Sequence, residues 1–238
     1  MKIVADDKIP FLEGVFEPYA EVVYLPGNQI EPSSLKNADA LLTRSITFCN
    51  ADLLENTQVR LIASATIGDD HIGKQYCLKN NIQWTTAAGC NATAVEQYVT
   101  TALLETAESS GFNLSGKTIG IIGVGNTGKK IQKIADLLGM KILLNDPPRE
   151  REEGSEIFCS LGKIREEADI ITLHVPLTFG GTDKTFHLLD EDFFAGPGLK
   201  PVILINTSRG AIVGSDVIKT AVQSGRIRKL VLDVWENE

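Results

Sequence analysis

Short apolar runs alternate with stretches of helical periodicity along the first ninety residues. The pattern predicts strands at 2–5, 21–25, 38–43, 61–65 and 82–85, and helices at 10–19, 51–55 and 70–80. Strands that alternate with helices are typical of a parallel α/β sheet. Because ligands bind beyond the carboxyl ends of such strands, the segments 44–47 and 66–68 are candidate ligand contacts.

A long helical pattern over 90–110 leads into a second unit of the same kind. Strands are predicted there at 118–122, 141–144, 170–175, 202–206 and 229–234, and helices at 131–138, 160–168 and 215–224. Two prolines at 147–148 predict a break in regular structure, and the charged run 150–155 predicts a loop. We place the domain boundary within the bridging helix, which gives units of residues 1–95 and 96–238.

Three glycines follow the first strand of the second unit. Gly123, Gly125 and Gly128 are spaced G-x-G-x-x-G, and Asp146 stands at the end of the next strand. In a βαβ unit this spacing allows a tight turn, close approach of the backbone to a pyrophosphate, and close packing of helix and strand. An acid in the position of Asp146 binds ribose hydroxyls and repels a 2′-phosphate. The register favours an NAD site over a turn that is only structural.

Bulk properties narrow the class of protein. The 238-residue chain has a formal net charge of −8 at pH 7, which argues against a nucleic-acid partner. No apolar run approaches the length of a membrane span, so we expect no membrane association. The four cysteines lack a C-x-x-C spacing. They are read as free thiols of a cytoplasmic protein, and we predict no disulfide and no metal.

Candidate charged groups stand at strand ends in both units. Arg44 beside Ser45 suits a phosphate or carboxylate, although a solvated loop arginine is an equal alternative. Arg209 follows a buried strand, where a charge is costly unless it meets an anion. None of the three histidines is interpreted as a catalytic base. His71 is read as packed or hydrogen-bonded, His174 as a strand-end residue that contacts the cofactor or the backbone, and His187 as structural.

The stretches GVGNTG, HVPLT, NTSRGAIV and DVWENE resemble those of the D-isomer-specific 2-hydroxyacid dehydrogenases. Further stretches, among them RSITFCN, SATIGDDHI and NDPPR, are similar to members of that family that oxidise a phosphorylated hydroxy acid. The resemblance implies a flavodoxin-like substrate domain and a Rossmann NAD-binding domain, both with parallel sheets. It also implies hydride transfer from a 2-hydroxy acid to NAD.

The resemblance also assigns roles by position. It implies that Arg209 binds the substrate carboxylate and that Glu238 orients a catalytic histidine. The cofactor positions are Gly125, Asn126 and Thr127 at the pyrophosphate, Asp146 at the ribose, and Val175, Thr207, Ser208 and Asp233 at the nicotinamide end. The substrate positions are Ser45 and Thr66, with Arg44 as a phosphate partner.

One family feature is missing from the sequence. The family's proton-transferring histidine follows the glutamate that Glu238 matches, and none of the three histidines here holds that position. We therefore expect a truncated chain with little turnover by itself, and a homodimer when full-length. One alternative is a family member that acts on 3-phosphoglycerate, glyoxylate or D-lactate. The other is a non-enzymatic protein that senses NAD and binds a partner.

Overall fold

A computed structural model describes residues 1–154, 156–196 and 199–237. The contacts divide the chain into two compact units, Met1–Cys90 and Asn91–Glu238. This division falls at the start of the long helix, whereas the sequence analysis placed the boundary within it. Among the described residues, no helix combines the length and apolar character needed to cross a membrane.

The first unit is a five-stranded parallel sheet with short helices. Its strands are β1 (Lys2–Asp6), β2 (Glu21–Leu25), β3 (Ala40–Thr43), β4 (Leu61–Ser64) and β5 (Gln83–Thr86). Its helices are α1 (Pro32–Leu35), α2 (Ala51–Leu54) and α3 (Lys74–Lys79), and a 3₁₀ turn covers Gly27–Gln29. The strands lie in the order β2-β1-β3-β4-β5. Val4, Leu41 and Ile62 form the centre of the buried core.

The second unit repeats this plan. Its strands are β6 (Thr118–Ile122), β7 (Lys141–Asn145), β8 (Ile170–Leu173), β9 (Val202–Asn206) and β10 (Ile227–Leu232). Its helices are α4 (Ala92–Ser110), α5 (Asn126–Leu137), α6 (Pro147–Glu153), α7 (Leu161–Glu167), α8 (Glu191–Phe194) and α9 (Ser215–Gln223), and a 3₁₀ turn covers Gly210–Ile212. All pairings are parallel, in the order β10-β9-β8-β6-β7.

The two sheets share one topology. Counted within each unit, both have the strand order 2-1-3-4-5, which is the flavodoxin-like doubly wound order. The order reverses between β1 and β3 in the first sheet and between β6 and β8 in the second. The predicted α/β fold class is confirmed, and the carboxyl ends of these two strand pairs are where a ligand site is expected.

The helix predicted over 10–19 is wrong, because the chain forms successive turns there. Phe11 is 97% exposed, and Val15 and Tyr19 are also exposed, so the apolar spacing does not mark a buried face. Pro10, Gly14 and Pro18 also oppose a continuous helix. The helix predicted over 70–80 is shorter than expected, and it begins after Gly73.

The break predicted at the two prolines is also wrong, because α6 begins there. Asp146 is its N-cap residue and accepts a hydrogen bond from the N–H of Arg149, and Gly154 ends the helix in a left-handed conformation. Proline is tolerated in the first helical turn, where the N–H groups have no partner within the helix. The sequence analysis read Asp146 only as a ligand group and so missed its role as a cap.

Candidate active site

The glycine turn after β6 is shaped by contacts that exclude side chains. Gly123 has φ +89°, and a Cβ there would lie 2.5 Å from the carbonyl oxygen of His174. A Cβ on Gly128 would lie 2.1 Å from the carbonyl oxygen of Gly123. Among the described residues, apart from its neighbours in the chain and the helix backbone, a Cβ on Gly125 would have no atom within 4 Å. Gly123 and Gly128 are therefore required by packing, and Gly125 faces open space.

That open space lies at the start of α5, a helix of 12 residues. Gly125 is its N-cap, and Asn126 and Thr127 are its first two residues. The first N–H groups of a helix have no partner within it and carry the positive end of its dipole, so they attract an anion. The structure thus brings together the predicted pyrophosphate residues around space that a phosphate can occupy.

Asp146 faces the same turn from the end of β7. Its Oδ2 accepts the N–H of Val124 at 2.8 Å, and its Oδ1 accepts the N–H of Arg149 at 3.2 Å. A carboxylate offers about four acceptor sites, so capacity remains for ribose hydroxyls. Arg149 is held by Glu153 at 2.7 and 2.9 Å and by the carbonyl of Val124 at 2.6 Å. An arginine bound in this way does not offer a prepared 2′-phosphate site.

His174 lies at the sheet's reversal point, between two threonines. Its Nε2 is 2.9 Å from Oγ1 of Thr172, and its Nδ1 is 3.4 Å from Oγ1 of Thr207. Desolvation lowers the pKa of His174 to about 4, so the ring is neutral at pH 7. A neutral ring bound on both nitrogens is a poor proton acceptor, which agrees with the interpretation that His174 is not the catalytic base. Its ring partners are threonine hydroxyls, so contact with the cofactor stays a prediction.

The turn that carries Arg209 is built on a residue that the sequence analysis missed. Asn206 is buried at the end of β9, and its Oδ1 accepts the N–H of Ser208 at 3.0 Å and the hydroxyl of Ser208 at 2.8 Å. Its Nδ2 donates to the carbonyl of Arg209 at 3.0 Å, and Arg209 Nη1 donates to the carbonyl of Ser208 at 2.9 Å. A polar residue closing the apolar run VILIN is the signal that could have identified it.

The remaining predicted positions of this unit lie at the same sheet edge. Val175 follows His174, and one of its methyl groups would lie 2.9 Å from a Cβ at Gly123. Asp233 follows β10, its side chain is exposed, and its N–H donates to the carbonyl of Asn206 at 3.0 Å. Glu238 lies outside the described residues, so its predicted role stays a prediction.

In the first unit, Arg44 is bound by a buried acid that the sequence analysis did not single out. Asp6 ends β1 and is fully buried, and its carboxylate accepts Arg44 Nε at 3.1 Å and Nη2 at 3.4 Å. The pair crosses the reversal point between β1 and β3. A Cβ on Gly27 would lie 2.5 Å from Oδ2 of Asp6, so a larger residue there would have to displace the Asp6 carboxylate. An acid ending the strand KIVAD was the available signal.

Thr66 belongs to a short polar network after β4. Its Oγ1 is 2.7 Å from Oγ of Ser64, which lies 3.0 Å from Nε2 of His71. His71 is buried, so its interpretation as a packed and hydrogen-bonded residue is confirmed. Ser45 is exposed beside Arg44. The structure thus places Ser45 and Thr66 at the carboxyl ends of β3 and β4, the edge where ligands bind in such sheets.

The second unit fits a dinucleotide. An open N-terminal turn, an acid at the end of the next strand and two packing glycines occur together at the reversal point of a parallel sheet, which defines the class of NAD-binding Rossmann-type domains. Residues 86–238 match the family model described as "D-isomer specific 2-hydroxyacid dehydrogenase, NAD binding domain". The chain belongs to the D-isomer-specific 2-hydroxyacid dehydrogenase family.

Relatives along the whole chain are more specific. The chain is 47% identical to the erythronate-4-phosphate dehydrogenase of Bacteroides thetaiotaomicron, covering 100% of this chain and 68% of the relative. It is 43% identical to the protein of that name from Porphyromonas gingivalis, with 100% and 64% coverage. The chain thus spans about two thirds of the length of these relatives.

Solved structures agree on the fold. An NAD-bound 3-phosphoglycerate dehydrogenase of Entamoeba histolytica superposes with a TM-score of 0.81 at 24% identity, covering 100% of this chain and 82% of its own. A D-lactate dehydrogenase of Aquifex aeolicus with NAD and lactic acid gives 0.76 at 24% identity, with coverage of 100% and 78%. The predicted family, enzyme class and cofactor are confirmed: the protein is an NAD-dependent dehydrogenase that acts on CH–OH groups.

Proposed function

We propose that the protein oxidises 4-phospho-D-erythronate to 3-hydroxy-4-phospho-2-oxobutanoate, a step in the biosynthesis of pyridoxal 5′-phosphate. The main support for this choice of substrate is the 47% identity, along the full chain, to a protein named erythronate-4-phosphate dehydrogenase. Arg44 supports it, because the first unit holds a guanidinium and the Ser45 hydroxyl at a sheet edge suited to a phosphate.

The reaction removes two hydrogens from the substrate: the C2 hydrogen leaves as a hydride and the hydroxyl hydrogen leaves as a proton. When bound, NAD supplies a nicotinamide ring that accepts the C2 hydride as an electron pair with its proton. The hydroxyl proton leaves to a base, and the C2–O single bond becomes a carbonyl. Arg209 binds the carboxylate and favours the charge that develops on the reacting oxygen. Asn206 holds the Arg209 turn in place.

The histidines of the chain have other tasks. His71 is bound to Ser64, His174 is neutral between two threonines, and His187 is paired with Glu236. The proposed base is the histidine that the family resemblance implies, held and charged by Glu238.

Two further parts of the proposal concern the setting of the enzyme. We propose that it acts as a homodimer in the cytoplasm. The family resemblance supports the dimer, and four free cysteines suit a reducing compartment. Gel filtration with light scattering on the protein made from its complete gene would test the dimer.

The substrate proposal is tested by steady-state NADH formation with the protein made from its complete gene. Its kcat/KM for 4-phospho-D-erythronate is expected to exceed that for 3-phospho-D-glycerate and for D-erythronate by at least about a hundredfold. Preference for 3-phospho-D-glycerate would move the function to another member of the family. Absence of turnover with all three, together with NADH-dependent association with another protein, would favour the NAD-sensing alternative.

A further inference from the structure

An acid–histidine pair lies in the NAD-binding unit, and neither of its residues is among the predicted site residues. Nε2 of His187 is 2.6 Å from Oε1 of Glu236, and Oε2 of Glu236 accepts the N–H of Ser215 at 2.8 Å. The Glu236 side chain is only 16% exposed. One carboxylate thus ties together the segment before α8, the first residue of α9 and the segment after β10.

The Glu236 carboxylate is ionised at neutral pH. The hydrogen bond from His187 and then that from the N–H of Ser215 hold the pKa of Glu236 below its ordinary value of 4.5. An ionised acceptor makes a stronger hydrogen bond than a neutral one. The pair therefore binds the segment that follows β10 more firmly than a neutral contact would.

Two glycines make room for this arrangement. A Cβ on Gly210 would lie 1.9 Å from the carbonyl carbon of Trp235, so the 235–236 peptide passes directly over the residue next to Arg209. A Cβ on Gly214 would lie 3.3 Å from Nε2 of His187. The turn that carries Arg209 and the segment that carries Glu236 are thus in contact through their backbones.

His187 is held in an uncommon backbone conformation. Its φ is +52°, its N–H donates to the carbonyl of Ala211 at 2.9 Å, and its ring stacks on Phe186 with centroids 4.0 Å apart. Positive φ at a residue other than glycine is uncommon and persists where the surroundings enforce it. Here the ring is fixed on the Glu236 carboxylate while the backbone is fixed on the 3₁₀ turn that follows Arg209.

We propose that His187 and Glu236 are positioning residues for the dehydrogenase reaction. They hold the segment 233–237 against the Arg209–Gly210 turn, so that Arg209 keeps its orientation toward the substrate carboxylate. The inference rests on the role proposed for Arg209 and does not depend on which hydroxy acid is the substrate. A pair that only caps α9 would stabilise the fold and leave catalysis unchanged.

The test uses Glu236→Gln, His187→Asn and the double variant in the protein made from its complete gene. Asparagine tolerates positive φ and is too short to reach Glu236, so it removes the pair without opposing the backbone. Glu96→Gln is the matched control, because it removes a carboxylate that pairs with Lys130 at 3.4 Å elsewhere in the same unit.

Each single variant is expected to lower kcat/KM for the hydroxy acid about tenfold or more. The KM for NAD should change less than kcat/KM for the hydroxy acid. The cofactor's glycine turn and Asp146 lie toward the other edge of the sheet, and only its nicotinamide-end positions Ser208 and Asp233 border the held segments. The double variant should lose no more than either single variant, since both remove one interaction. Amide hydrogen exchange should accelerate in peptides covering 206–215 and 227–237, and the control should match the native protein.

Variants that lower the melting temperature but keep native kcat/KM would overturn the positioning role while leaving the proposed function intact. If the native enzyme oxidises none of the three acids, the proposed function fails instead. Hydrogen exchange tests separately whether the His187–Glu236 pair holds the two segments in place. Native exchange rates at 206–215 and 227–237 in both single variants would show that the pair does not hold these segments.

Discussion

Gly123 and Gly125 lie two residues apart in one turn, but their surroundings differ. Gly123 has positive φ and packs against the residues that follow β8. In the part of the chain that the structure describes, no atom beyond the local backbone lies within 4 Å of where a Cβ on Gly125 would stand. Packing explains why position 123 is glycine, whereas the proposed pyrophosphate contact is the reason we give for Gly125. The same contrast applies to Asp146, which caps a helix and also faces the cofactor turn.

Alanine substitutions should separate these two requirements. Gly125→Ala is expected to change the free energy of unfolding by less than about 0.5 kcal/mol while weakening NAD binding at least about tenfold, because the methyl group occupies pyrophosphate space. Gly123→Ala should destabilise the protein by more than about 1 kcal/mol, since it adds a left-handed alanine to a backbone clash. Chemical denaturation and calorimetric NAD titration measure the two effects. An unchanged NAD affinity in Gly125→Ala would contradict the site.

His174 makes a prediction about acid stability. Its folded pKa of about 4 lies below the ordinary value of 6.5, so the unfolded chain takes up this proton first as the pH falls. The stabilisation is complete above about pH 6.5 and declines between that pH and 4. From pH 7 to pH 5, the native protein should lose about 2 kcal/mol more unfolding free energy than His174→Gln. Equal losses in urea titrations at both pH values would show that this histidine is not desolvated.

At the scale of elements, the strands were the most predictable part of the molecule. Their short, continuous apolar runs are typical of parallel strands buried on both faces, and each predicted strand exists. The wrong predictions concerned helices, at 10–19 where none forms and at 147–153 where one does. Over 10–19 the apolar residues Phe11, Val15 and Tyr19 are exposed rather than packed on a core. At 147–153 an N-cap acid and prolines in the first turn begin a helix. Periodicity alone cannot report either effect.

Hydrogen-bond partners of the site were less predictable than its positions. The motif assigned Arg209 and Arg44, but Asn206 and Asp6, which hold them, come from neighbouring strand ends and carry no motif of their own. Only the strand order brings Asp6 of β1 beside Arg44 after β3. Neighbours across a sheet are set by topology, which a local sequence pattern does not contain.

Loss of the Asp6–Arg44 pair should raise the KM for a phosphorylated substrate and leave the KM for its unphosphorylated counterpart nearly unchanged. Asp6→Asn keeps an acceptor for the N–H of Lys8 but turns an amide N–H₂ or a neutral oxygen toward the guanidinium, so Arg44 loses its fixed orientation. We expect KM for 4-phospho-D-erythronate to rise about tenfold and KM for D-erythronate to stay within about twofold. Arg44→Lys serves as the comparison, because it keeps the charge and loses the fork. Equal changes for both substrates in Asp6→Asn would mean that Arg44 only neutralises a buried acid.

At the scale of the whole molecule, one strand order is used twice. Each unit places candidate site residues where the strand order reverses, at Asp6 and Arg44 in one sheet and at the turn that holds Gly123 and Gly125 in the other. The family match covers the second unit, and the relatives match along both. The protein is thus a dehydrogenase whose second unit carries the NAD-binding domain.

The most direct test of this account follows the hydrogen itself. The protein made from its complete gene is incubated with NAD and 4-phospho-D-erythronate that carries deuterium at C2, and the NADH is analysed by mass spectrometry. The account predicts NADH that carries one deuterium, together with the 2-oxo acid product. NADH without deuterium, or no NADH under conditions where NAD binds, would contradict hydride transfer from C2 of this substrate.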